Sequence, residues 1–354
     1  MNVLIVDDRV PDPSFGAGFP RAYRFLLTII KLGHKVYFHP TAKHTIPNLN
    51  IENLAKFGIN VWENIEDHKD EKVDIVILSR PHNVHYHMPP IKRLFPQAKY
   101  IYDTEALWYR RYDLQLSITG KLPGWAYRYD ELGLARQVDL CFVVNDQEKA
   151  ILEENGVRKV VKLAHALDVH DAGLPFEERK DLLVVGGILE DDSSNEDALW
   201  HYLENCWSGV WETLQCQMDV TGTVKSSRLE NNTFGHINLM GHVNELVPLY
   251  ETRKVFIAAT RFATGIPWKV HEAMANGIPC VISRLLANQL QIPDDVMAMV
   301  ADTPQEYISK TILLYQNKNI WEDMRNNAFE YIKKDCSVEE FKNIIKTNLE
   351  ELVA

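Results

Sequence analysis

Cysteine is scarce in this chain of 354 residues. The five present, Cys141, Cys206, Cys216, Cys280 and Cys336, are odd in number and never fall in a Cys-x-x-Cys pair. Neither a disulfide framework nor a cysteine-rich structural zinc site is expected, and a reducing, cytoplasmic compartment is. Long apolar runs are missing too: no stretch approaches the roughly 18–20 uninterrupted apolar residues of a membrane helix. The opening Met1-Asn2-Val3-Leu4-Ile5-Val6-Asp7-Asp8 turns acidic after four apolar side chains, unlike a secretory signal. Glycine and proline, at 17 and 16, are too few for collagen-like or low-complexity sequence. Positive charge is not in excess. The formal net charge is −11, so no nucleic-acid partner is expected.

What is present is a globular composition, 46% hydrophobic and 25% charged, with a charge asymmetry. Residues 1–170 hold 22 Lys and Arg against 21 Asp and Glu, whereas residues 171–354 hold 16 against 28. The length suits two domains at about 100–200 residues each. Short apolar runs predict strands at 3–6, 36–38, 73–78, 100–102, 140–144 and 160–163. Ala22, Phe25, Leu26, Ile29 and Ile30 recur at helical spacing between a Gly-bearing turn and Gly33. Residues 168–181 read as a linker. The pattern then restarts, with strands at 182–185, 218–221, 237–240, 255–259 and 280–282. It closes on a helix over 337–352 that places Val338, Phe341, Ile345, Leu349 and Leu352 on one face. Two βα arrays in succession predict the α/β class: two Rossmann-like doubly wound domains, 1–170 and 171–335, facing across a cleft, with 336–354 crossing back to the first.

The most informative segment is 259–281. A strand runs into the loop Thr260-Arg261-Phe262-Ala263-Thr264-Gly265-Ile266-Pro267, then into a helix carrying Trp268, Lys269, Val270 and Glu272. Pro267 sits where a missing N–H costs least. The N–H groups of Trp268, Lys269 and Val270 at that helix start would form an anion site, with Lys269 adding a full charge. Glu272, one turn further in, is placed to accept from vicinal hydroxyls. A plain βαβ unit with an exposed Lys and Glu is the alternative.

This segment resembles the signature of retaining glycosyltransferases of family four, Lys-hydrophobic-x-Glu-Ala-Met-Ala-x-Gly-x-Pro-hydrophobic-Val. Phe15-Gly16-Ala17-Gly18, Leu32-Gly33-His34-Lys35-Val36, the 138–148 stretch, 182–187 with Asn195-Glu196-Asp197-Ala198-Leu199, and 241–250 resemble further family segments. The resemblance implies the GT-B arrangement, an acceptor-binding N-terminal domain and a C-terminal domain for a nucleotide diphosphate sugar. It implies that Glu272 binds the donor ribose as the second Glu of a Glu-x7-Glu motif. Thr264 stands where the first Glu falls. It also implies that Gly265, Ile266, Pro267, Trp268 and Val270, with Gly187 and Gly222 at strand ends, surround the donor.

Relatives often follow the first strand of the second domain with an Arg and a Lys that grip the diphosphate. This chain has Glu190-Asp191-Asp192 there. Those acids should point away, and the charge should come from Lys269 first, Arg261 second, Lys225 or Arg228 third. No Asp-x-Asp triplet occurs, so no cofactor and no essential metal are expected.

In the first half, Asp103-Thr104-Glu105 follows a strand. Asp103 reads either as an acceptor-orienting carboxylate or as a helix N-cap. Gly16, Ala17, Gly18, Glu105, His85 and His165 are the other expected acceptor or cleft residues. His165 has packing at the junction as its alternative. His82, His85 and His87 read as loop residues rather than zinc ligands. The aromatic and basic stretch 92–136 suggests either helix packing with snorkelling cations or contact with a lipid-linked saccharide acceptor at the inner membrane face. The rivals to a transferase are a sugar-nucleotide epimerase and a non-catalytic nucleotide-sugar-binding partner subunit. An NAD(P) oxidoreductase is disfavoured, because Arg21 stands where the third Gly of G-x-G-x-x-G belongs.

Overall fold

The structure, a computed structural model, describes residues 1–12, 18–42, 54–230 and 234–354. It divides into two compact units. One comprises Met1–Asp113, Leu122–Ala166 and Val338–Ala354, and the other Leu114–Lys121 and Leu167–Ser337.

The first unit is built on a seven-stranded parallel sheet: β1 Asn2–Asp7, β2 Lys35–Pro40, β3 Asn60–Val61, β4 Ile75–Ser79, β5 Lys99–Asp103, β6 Leu140–Val143 and β7 Val160–Lys162. Its order is β3-β2-β1-β4-β5-β6-β7. Successive side chains on a strand point to opposite faces, and here both faces are covered. Val3, Ile5, Ile75, Ile77 and Ile101 meet Phe25, Leu26 and Ile29 of the helix Phe19–Lys31. Leu4, Val6, Val76, Leu78 and Tyr102 meet Val84, Met88 and Ile91 of the helix Pro81–Leu94. Double coverage is why these strands read as unbroken apolar runs. Phe341, Ile345 and Leu349 of the terminal helix Val338–Val353 complete the first of these cores. Each fully buried side chain of this kind contributes about 1.5–3 kcal/mol.

The second unit has six parallel strands in the order β10-β9-β8-β11-β12-β13. They are β8 Lys180–Val185, β9 Met218–Thr221, β10 Ile237–Gly241, β11 Arg253–Ala258, β12 Cys280–Ser283 and β13 Met299–Ala301. The sequence pattern misses β3 and β13, which are two and three residues long and too short to show a period. It also misses the helix Pro81–Leu94, because Pro89 and Pro90 lie inside it. His82, His85 and His87 are therefore helical, which corrects their reading as loop residues. Pro81 opens the helix where proline's fixed φ suits a first turn.

Strand order reverses between β1 and β4 in one sheet and between β8 and β11 in the other. Connections leave such a point toward opposite faces and open a crevice at the carboxyl ends of the strands. Beside that crevice, the chain leaving β8 and the chain leaving β9 approach closely through glycine. Gly222, at φ 118°, lies so near the backbone of Gly186 and Gly187 that a Cβ there would meet it at 2.7 Å. Among the described residues, no helix is long and apolar enough to cross a membrane.

Candidate functional site

The switch point of the second sheet holds a pocket lined by Val184, Val185, Gly186, Ile188, Asn195, Ala198, Leu199, Tyr202, Val220, Ile257, Ala258, Ala259 and Lys269. Its walls are strand ends and two helix starts. The helix Trp268–Ala275 begins after Pro267 as expected. The Val270 N–H is not available to an anion, because it donates to the Pro267 carbonyl at 3.0 Å. The expected three-amide nest is narrower by that group.

Lys269 is half-buried, and loss of hydration lowers its pKa to about 8. Its Nζ donates to Asn195 Oδ1 at 2.9 Å, and Asn195 Nδ2 donates in turn to the Gly187 carbonyl at 2.9 Å. Asn195 lies in the first turn of the helix Ser194–Tyr202, capped by Ser193. The next two residues hold the other candidate cations. Glu196 accepts from Arg228 Nε at 3.1 Å and Nη2 at 2.5 Å, and Asp197 accepts from Arg261 Nε at 2.8 Å and Nη2 at 2.5 Å. Arg261 and Arg228 are thus each neutralised by a carboxylate. Lys225 is exposed, and its backbone N–H donates to Ile188. The acids after β8 are engaged as well: Asp191 accepts from Ser227, and Asp192 from Lys121 at 2.9 Å.

Glu272 lies one turn into the Trp268–Ala275 helix. The Tyr250 hydroxyl donates to its Oε2 at 3.0 Å. Burial nonetheless raises its pKa. The loop before the helix turns at Gly265, φ 81°, ahead of Ile266, and is pinned by Gln289 Nε2 donating to the Ala263 carbonyl at 2.7 Å. Thr264 Oγ1 in this loop is buried without a hydrogen-bond partner among the described residues.

His271, beside Glu272, points the other way into the core. It lies 3.0 Å from the Tyr331 hydroxyl and 3.4 Å, through Nδ1, from Cys336 Sγ. Burial lowers its pKa to about 3. An unfolded chain protonates this imidazole below about 6.5, while the folded one stays neutral down to about 3. Stability is therefore lost as pH falls from 6.5 toward 3, at about 1.4 kcal/mol per pH unit for this one proton. Urea unfolding over that range should show a steeper acid loss in wild type than in His271→Gln. Equal slopes would mean that the folded imidazole takes up its proton as freely as the unfolded one.

In the first unit the strand ends carry charge. Asp103, at the end of β5, is buried, and both its oxygens accept from Arg21 at 2.7 and 2.9 Å. It does not cap the following helix, Trp108–Thr119. That helix start is served by Glu148, which accepts the Leu107 N–H at 3.1 Å, and by Glu131, which accepts from the backbone of Trp108 and Tyr109. Burial pushes Glu131 up to about 8. Glu105 accepts from Arg80 Nε at 3.0 Å and lies against Gly18, where a Cβ would meet its carboxylate at 3.1 Å. Gly16 and Ala17 lie outside the described residues. His85 is exposed, with its ring 5.3 Å from that of Tyr129. His165 is buried.

Sequence reasoning gave no role to Asp7, Asp8, Arg21 or Arg80. Arg80, held at φ 73°, joins Asp7 at 3.4 Å, Asp8 at 2.5 Å and Glu105. Asp8 also meets His82 Nε2 at 2.5 Å. Burial lifts Asp7 to about 8 against the pull of Arg80, and lifts Glu105 in the same direction. The readable signal was position: Asp7-Asp8 directly follow one predicted strand and Arg80 lies two residues past another, and these strands flank the switch point.

Residues 179–317 match the family model described as glycosyl transferases group 1. A comparison with curated proteins finds none that matches. Among solved structures, a sucrose-phosphate synthase from Thermosynechococcus elongatus is 12% identical with a TM-score of 0.72, over 99% of this chain and 98% of that one. The Anabaena protein HepE, in complex with UDP and glucose, is 10% identical with a TM-score of 0.71, over 99% and 100%. WaaG, a glycosyltransferase involved in lipopolysaccharide biosynthesis, is 12% identical with a TM-score of 0.66, again over 99% and 100%. At such identities the likeness is one of fold. The chain has the GT-B fold, and its second unit carries the segment matched by group 1 glycosyltransferases.

Proposed function

We propose that this protein is a retaining, metal-independent glycosyltransferase that moves a sugar from a nucleoside diphosphate sugar to an acceptor hydroxyl in cell-surface glycan synthesis. One observation carries the donor half: Lys269 is a half-buried ammonium at a sheet switch point, and its hydrogen-bond partner is a neutral amide rather than a carboxylate. An anion arriving there supplies the missing counter-charge. Glu272, oriented by Tyr250, would accept from the ribose hydroxyls. In the reaction the sugar C1–oxygen bond to the diphosphate breaks as the acceptor oxygen bonds C1 on the same face. The hydroxyl proton passes to the departing diphosphate, and Lys269 and the helix start stabilise the charge left on it.

The complex of HepE with UDP and glucose makes UDP-glucose the first donor to try, within a thermal-shift screen of UDP-, GDP-, TDP- and ADP-sugars. Stabilisation by one of them, followed by acceptor-dependent release of nucleotide that EDTA leaves unchanged, is the expected result. A rate lost to EDTA and restored by Mn²⁺ would refute the metal-free part. Thr264 favours one second reading, a nucleotide-sugar-binding partner subunit, which predicts binding with no acceptor-dependent release. For the acceptor we propose a saccharide or lipid-linked saccharide met by the first unit, with the exposed Trp125 and Tyr127 at the membrane face.

A further inference from the structure

Three consecutive residues in the first turn of the helix Ser194–Tyr202 each hold one cation delivered by another segment. Asn195 holds Lys269, Glu196 holds Arg228, and Asp197 holds Arg261. Two of these partners are carboxylates and one is an amide. A carboxylate neutralises the cation it holds, whereas an amide fixes it in place and leaves its charge intact. We propose that Asn195 is a positioning residue that keeps Lys269 in place as an uncompensated positive charge for the donor diphosphate, while Glu196 and Asp197 withdraw Arg228 and Arg261 from that task. The inference rests on the transferase reading and deepens it, by naming what replaces the Arg and Lys expected after the first strand of this domain.

The geometry makes the amide specific. Asn195 Nδ2 donates to the Gly187 carbonyl, which turns Oδ1 toward Lys269. An aspartate at 195 would place a carboxylate oxygen against that carbonyl, with no proton to share, and would form a third ion pair. The amide packs close over Gly186, where a side chain would collide with it: a Cβ there would fall 2.9 Å from Asn195 Nδ2. The neighbouring charges, Glu196 with Arg228, Asp197 with Arg261 and Asp192 with Lys121, are already paired. The lowered proton affinity of Lys269 fits a charge that has lost much of its water and gained no counter-ion.

The test is calorimetry of the full chain with UDP and with inorganic pyrophosphate, alongside NMR titration of lysine side chains. Asn195→Asp should weaken pyrophosphate binding by at least about tenfold, the effect of roughly 1.4 kcal/mol. It should also move the Lys269 titration upward by about a pH unit or more, as an adjacent carboxylate does. Asp197→Asn, which releases Arg261, should bind pyrophosphate as tightly as wild type or tighter. Asn195→Asp that binds like wild type, or equal losses in Asn195→Asp and Asn195→Ala with an unmoved Lys269 titration, would overturn the inference and leave the transferase reading standing. A wild-type protein that binds neither UDP nor pyrophosphate overturns both.

Discussion

Glu272→Ala will lower the affinity for UDP by about a hundredfold while leaving the thermal midpoint of the free protein nearly unchanged. The size follows from chemistry. A carboxylate accepting from vicinal hydroxyls makes charge-assisted hydrogen bonds worth about 1.5–3 kcal/mol each, and a hundredfold corresponds to about 2.7 kcal/mol. Little folding energy is at stake, because the carboxylate is half-buried and burial already disfavours its charge. Its partner Tyr250 remains packed in the core without it. Glu272→Gln should fall between the two proteins, since the amide retains one acceptor. Calorimetry with UDP decides the matter: a change below about threefold would remove Glu272 from the ribose.

Asp103→Ala is expected to cost about 3–5 kcal/mol of stability, the range for breaking a buried ion pair by removing one partner. For a unit of this size that lowers the midpoint by about 10 °C. Arg21 would be left buried, with the Leu163 carbonyl as its remaining hydrogen-bond acceptor among the described residues. The double variant Arg21→Met, Asp103→Leu should recover most of the loss, because apolar side chains of similar volume carry no unpaired charge. This outcome would make Asp103 a scaffold for the strand ends rather than a group that touches the acceptor. A well-folded Asp103→Ala that has lost transfer would restore the acceptor-orienting role.

These two residues also mark what a sequence can convey. Segment 259–281 was legible because its parts are local: strand, glycine loop and helix follow one another, and Lys269 and Glu272 share one short helix. The strands were legible because sheets covered on both faces demand unbroken apolar runs. Pairings between distant segments were not. Asn195 and Lys269 are 74 positions apart, and Arg21 and Asp103 are 82. Nothing in a linear pattern says that Arg261 and Arg228 arrive beside carboxylates in the first turn of another helix. Charge type could be read from the sequence, but whether a charge is spent could not. The helix Pro81–Leu94 was hidden for a different reason, since Pro89 and Pro90 oppose the local preference and tertiary packing of Val84, Met88 and Ile91 overrides it.

The terminal helix has a consequence for biosynthesis. Phe341, Ile345 and Leu349 are integral to a core whose other members lie between Val3 and Ala166. A ribosome makes this chain from its first residue onward, so that core stays open while the whole intervening unit is synthesised. Until the helix is made, the apolar side chains it covers lack that cover. Of the two units, the one whose sheet is made earlier is thus the later to close.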